Sequence, residues 1–208
     1  MDISELRAID IHAHYGRYIK EEAPVLTRLM SAEASDVVEL AKKANTDLTC
    51  VSPTSALMPP GKSDAVLWNS KVSRDIQGTR ELRFWVVVDP KNPETYNQAD
   101  ELLKLQCCCG IKVHPESHGY PISEYGDEIF SFACKHNATV LSHSGQRNSI
   151  PEDFVPFADE FKDVVIILAH LGNSWDGDPT HQVRAAQSAR HGNVFIDTSS
   201  AMSIMNGL

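Results

Sequence analysis

Seven short apolar, β-branched runs recur along the chain, beginning near residues 7, 48, 82, 110, 138, 163 and 193, one every 25 to 41 residues. They read RAIDIH, LTCVSP, LRFWVVVDP, GIKVHP, ATVLSHSG, DVVIILAHLG and NVFIDTSS. Such runs alternating with helical patterns are the mark of βαβ units and a parallel sheet. FWVVV and VVIILA are apolar without alternation, as strands become when helices cover one face and a packed interior the other. The chain is therefore read as an α/β protein.

The intervening stretches carry helical spacing. Phe154, Phe157, Ala158 and Phe161 follow the i, i+3, i+4, i+7 rule, and Tyr125, Ile129, Phe132 and Ala133 nearly do. Asp36 and Glu39 resemble a capping box opening the first helix, with Val37, Ala41 and Ala44 on one stripe. The longest interval follows the first run, where YGRYIKEEAPVLTRLMSAEAS predicts a long loop of the kind that shapes a substrate pocket. No repeat, low-complexity tract or linker divides the 208 residues, so a single domain over 1–208 is expected.

Charge narrows the partners. With 19 basic and 28 acidic residues the formal net charge is -9, and no Lys/Arg run occurs, which argues against nucleic acid and anionic membranes. MDISELRAID lacks a basic start followed by an apolar stretch, and no run reaches the ~18 to 20 apolar residues of a membrane span. A soluble, cytoplasmic protein with a small-molecule substrate is expected, with a homo-oligomer left open. The five cysteines, 50, 107, 108, 109 and 134, are odd in number and lack C-x-x-C spacing, which argues against a disulfide framework. Neighbouring strand residues point opposite ways, so Cys107, Cys108 and Cys109 cannot all face one ion and are read as ordinary buried side chains.

The polar residues that interrupt the runs gather at one end. His12 and His14 would share a strand face with Asp10, which looks like half of a metal site. Lys112 and His114 close the fourth run, His143 the fifth, His170 the sixth and Asp197 the seventh. If the strands are parallel, these groups converge at the carboxyl end of one sheet, where α/β barrels and open sheets carry their active sites. Imidazole suits zinc and similar divalent ions, and a metal-activated water is a usable nucleophile at neutral pH.

The ordered set DIHAH, GIKVHP, LSHSG, ILAHLG and VFIDTSS resembles the amidohydrolase superfamily, specifically the amidohydrolase-related metal-dependent TIM-barrel hydrolases. The resemblance runs from about residue 7 to the end of the chain. It implies a TIM-type (β/α) barrel and a divalent metal, zinc before manganese or iron, held by His12, His14 and His143. It implies that His170 binds a second ion or orients and protonates substrate. Lys112 is placed as a carbamylated metal bridge, as a contact to a substrate carboxylate, or as a residue that only supports the site structurally. The implied reaction is hydrolysis of a C–N or C–O bond in an amide, ester or lactone. Related barrels with the same ligands remove CO2 from aromatic acids, and that decarboxylase reading stands beside the first.

One departure stands out. The family's catalytic aspartate belongs to an eighth strand, in a segment reading like GSD, whereas this sequence reaches AMSIMNGL without one. Asp197 ends the seventh run and is counted with His170 and Lys112 as a catalytic candidate. An eight-unit barrel needs ~250 residues. About seven of eight units are therefore expected, in a C-terminally truncated barrel that is open there. A non-catalytic fragment is the third reading.

Other residues take ordinary readings. His118, His136, His181 and His191 are expected as surface or capping residues, and Asp89 before Pro90 as a turn former. His114 is either pocket lining or a turn residue before Pro115. Trp175 and Asp176 fall in the loop above the sixth run, where either could line the pocket, and Arg147 is read as a contact to an anionic group or as a solvated side chain.

Overall fold

In the computed structural model, which describes residues 6–18, 24–59, 61–62 and 64–199, all seven runs become strands of one sheet. They are β1 (Ala8–Tyr15), β2 (Thr46–Pro53), β3 (Leu82–Val87), β4 (Cys108–Val113), β5 (Val140–Ser142), β6 (Ile166–Leu168) and β7 (Val194–Ile196). Neighbours pair in chain order and every pair is parallel. The sheet curls into an open barrel of seven units. Among the described residues β1 and β7 do not pair with each other. Their carboxyl ends nevertheless meet, because His12 and Asp197 touch at 2.7 Å.

Alternation along the strands builds two cores. Phe84, Val86, Ile111, Val113, Val140, Ile166 and Leu168 face outward into the main core beneath the helices. Cys50, Trp85, Leu141 and Ile167 fill the inside of the curl, with Ile11 and Cys109 packed against them. The Trp85 indole N–H donates to the Ile11 carbonyl at 2.9 Å, tying β3 to β1 across the interior. Cys109 packs there as a small side chain, and all five cysteines are free.

The helices are α1 (Pro24–Leu29), α2 (Ala34–Lys43), α3 (Ala65–Asp75), α4 (Glu94–Leu102), α5 (Pro115–His118), α6 (Ile122–Lys135), α7 (Val155–Glu160) and α8 (His181–Ser188). None is long and apolar enough to cross a membrane among the described residues. α6 buries Ile122, Ile129, Phe130 and Ala133, while the expected Tyr125 and Phe132 are half-buried at the edge of that stripe. The expected phenylalanine helix is split. A 3-10 turn over Pro151–Phe154 precedes α7, which ends before Phe161. The capping box also shifts: α2 begins at Ala34, so Asp36 accepts from the Glu33 backbone N–H at 2.8 Å and Glu39 lies inside the helix. The long loop after β1 contains α1, and its residues 19–23 lie outside the described residues.

Two of the four set-aside histidines differ from expectation. His118 is buried, its Nε2–H donating to the Ala56 carbonyl at 3.1 Å. His181 is buried between Glu152 at 2.7 Å and Asp176 at 3.0 Å. The Ala56 carbonyl and Glu152, from segments distant in the chain, satisfy these rings and permit their burial, and local sequence does not display them. His136 contacts Asp100 at 2.7 Å beside the end of α6, and His191 is exposed.

Candidate active site

Parallel pairing places the end of every strand on the same rim, and the expected residues assemble there. His12 lies within β1 and is 8% exposed. Its Nδ1 is 2.7 Å from an Asp197 carboxylate oxygen and its Nε2 is 2.9 Å from the Lys112 ammonium. A carboxylate accepts and an ammonium donates, so Nδ1 carries the proton and Nε2 presents its lone pair. Burial, then the Lys112 charge, push the His12 pKa down to about 4 against the pull of Asp197, so the ring is neutral near pH 7.

Asp197 follows β7 directly. Its Oδ1 accepts from the His170 N–H at 2.9 Å, the Ser199 N–H at 3.0 Å and the Ser199 hydroxyl at 2.5 Å, which leaves Oδ2 for His12. Burial pushes its pKa up, but the hydrogen bonds from His12, Ser199 and His170 outweigh it and hold the carboxyl ionised, below its ordinary range. Lys112 on β4 is 1% exposed, and burial lowers its pKa to about 7 although Asp197 pulls the other way.

His170 follows β6 with φ +69, a left-handed conformation that few non-glycine residues hold. Its Nδ1–H donates to the Ser199 carbonyl at 2.9 Å, which leaves Nε2 free. Burial is the first cause lowering its pKa. His143 follows β5, and its Nε2 meets the Gln146 amide oxygen at 2.8 Å. Burial, then His170 and Lys112, lower the His143 pKa to about 3. Its ring stacks on His114 with centroids 4.1 Å apart and meets His170 edge-on at 4.9 Å. The His12 ring lies 5.1 Å from both His14 and His170. His14 opens on a cavity although protein atoms crowd it. That desolvation, then His12 and Lys112, push its pKa well down.

A run of neutral imidazoles around one carboxylate and one buried lysine fits a divalent cation, because metal ligands must be deprotonated. His12, His170 and Asp197 offer ligand atoms all within 4.8 Å of one another. The Lys112 ammonium already places a cation on the His12 lone pair. His14 and His143 adjoin this group through ring contacts with His12 and His170.

Asp10 does not join. A register shift between Asp10 and Ala13 changes the face of the strand, and the exposed Asp10 carboxylate accepts from the His12 backbone N–H at 2.9 Å. His114 does both things expected of it, lining the cavity and accepting the Ser117 N–H on Nδ1 at the start of α5. Asp89 is a turn residue, accepting from the Lys91 N–H. Asp176 is engaged by His181, and Arg147 lies over the Trp175 ring at 5.9 Å. Sequence reasoning missed Ser199, which touches His12, His170 and Asp197. The spacing D-x-S at a strand end, which puts hydroxyl and carboxylate on one side, was the available signal.

The family model described as Amidohydrolase matches residues 9–204. A probable 2-pyrone-4,6-dicarboxylic acid hydrolase from Acinetobacter baumannii shares the fold with TM-score 0.61 at 15% identity, over 94% of this chain and 71% of that one. An amidohydrolase from Burkholderia multivorans with bound zinc gives 0.64 at 12%, over 93% and 69%. The 2,6-dihydroxybenzoate decarboxylase from Rhizobium gives 0.58 at 11%, over 93% and 79%. No curated protein matches the chain.

Proposed function

The chain belongs to the amidohydrolase family, and from that premise we propose that it is a divalent-metal-dependent hydrolase acting on a C–N or C–O bond of a small amide, ester or lactone. One observation carries this reading: neutral imidazoles from β1 and the ends of β5 and β6 meet beside the Asp197 carboxylate. His12, His14 and His143 are the proposed metal ligands, and His170 stands close enough to join them. The zinc of the Burkholderia relative supports zinc as the ion. A divalent ion there supplies Lewis acidity, polarising a carbonyl and acidifying water.

The chain's own groups do the rest. Asp197 keeps the proton on His12 Nδ1 and so aims the Nε2 lone pair inward. His170, neutral and with Nε2 free, takes a proton from water as it adds to the carbonyl carbon. It then returns that proton to the leaving nitrogen or oxygen. Lys112 Nζ donates a charge-assisted hydrogen bond to the carbonyl oxygen as it becomes anionic on addition of water.

Metal analysis of the purified protein beside His12→Ala and His14→Ala tests this. Loss of metal in the variants is expected, and equal metal in all three removes the basis of the reading. The Rhizobium decarboxylase supports a second reading, non-oxidative removal of CO2 from an aromatic acid. A screen of aromatic carboxylic acids beside lactones and amides separates the two, since only the decarboxylase releases CO2.

A further inference from the structure

A cavity of ≈ 630 Å³ opens beside His14 and His114, and its walls are unlike its floor. The loop after β1 contributes Leu29 and Met30, and the turn after β2 contributes Leu57 and Met58. Leu29 is 70% and Met30 52% exposed, whereas Leu57 is buried. Scattered exposed apolar side chains are ordinary, but here they line one concavity that runs into a cluster of imidazoles. A space of this size suits a small molecule, and methionine adapts its shape to what it covers. No acidic side chain lines it among the described residues, and its one cation, Lys62, is exposed.

We propose that this cavity takes the apolar side group of a neutral amide or ester, packed on Leu29, Met30, Leu57 and Met58. This deepens the hydrolase reading and rests on it for which bond is cut. Selectivity then lies in the two loops, and the imidazoles serve any substrate that fits.

The test is binding of acetamide, butanamide, hexanamide and octanamide to the full chain, measured by calorimetry or ligand-observed NMR. Affinity rises roughly fourfold per added methylene until the wall is covered. Leu29→Asp and Met30→Asp, both at exposed positions, flatten that series. Affinities that do not change with chain length, or that keep their slope in the aspartate variants, overturn the inference. So does a change in sedimentation on Leu29→Asp with the series intact, because the patch then belongs to a second copy of the chain. Length-dependent binding without turnover by metal-loaded protein sinks the hydrolase reading alone, and turnover with a flat series sinks the apolar wall alone.

Discussion

Replacing Asp197 by Asn is the sharpest perturbation, because the two carboxylate oxygens have different duties. Oδ1 accepts three donors, from the His170 N–H and from the Ser199 N–H and hydroxyl, while Oδ2 accepts one, from His12 Nδ1. An asparagine has a single oxygen, and the side with three donors claims it. Its NH2 is then turned toward His12 Nδ1, which must become an acceptor and pass its proton to Nε2. That proton replaces the lone pair which the Lys112 ammonium now meets at 2.9 Å. Loss of a buried, charge-assisted hydrogen bond costs about 1.5–3 kcal/mol of stability. Removing an orienting carboxylate typically costs about 10–100-fold in metal affinity. Urea denaturation of metal-free protein reads the first quantity, competitive zinc titration the second, and long-range 1H–15N NMR the tautomer. A His12 ring still protonated on Nδ1, with zinc affinity within about twofold of wild type, would refute the reasoning.

Three further outcomes are expected. Metal-free protein loses stability as pH falls from about 6.5 toward 4. His12 and His143 are lowered on folding, to about 4 and about 3, so the unfolded chain binds protons first in that window. His12 alone accounts for about 3 kcal/mol, read as a fall in the urea midpoint, and a flat profile from pH 7 to 5 would count against neutral buried rings. Gly145→Ala costs about 2–4 kcal/mol in urea melts, because its φ is +94 and a Cβ there would lie 2.0 Å from the Asn173 carbonyl oxygen. A cost below about 0.5 kcal/mol would show that the two loops are not packed as described. Phe130→Ala, fully buried against Phe154 and Phe157, costs about 3–5 kcal/mol without altering zinc affinity.

The sheet was legible because each strand carries its own evidence within a few residues: VVIILA and FWVVV declare burial on both faces whatever lies elsewhere. Convergence followed from parallel pairing alone, since His12, Lys112, His143, His170 and Asp197 each end or adjoin a run. What stayed hidden depends on contacts between distant segments. The His12 to Asp197 hydrogen bond joins residues 185 positions apart, and nothing near either one selects Asp197 over the adjacent Asp10. A strand irregularity decides that choice, turning Asp10 outward, and irregularities of this kind are set by the neighbouring strand. Burial of His118 and His181 was hidden for the same reason, because the Ala56 carbonyl and Glu152 that satisfy them come from other loops.

The central claim is that imidazoles spaced through the chain share one cation, and X-ray absorption at the zinc edge of zinc-loaded protein tests it most directly. The account predicts a shell of imidazole nitrogens at about 2.0–2.1 Å that loses members in His12→Ala and His143→Ala. A sulfur shell at about 2.3 Å from the cysteines, or a nitrogen shell unchanged in both variants, would contradict it.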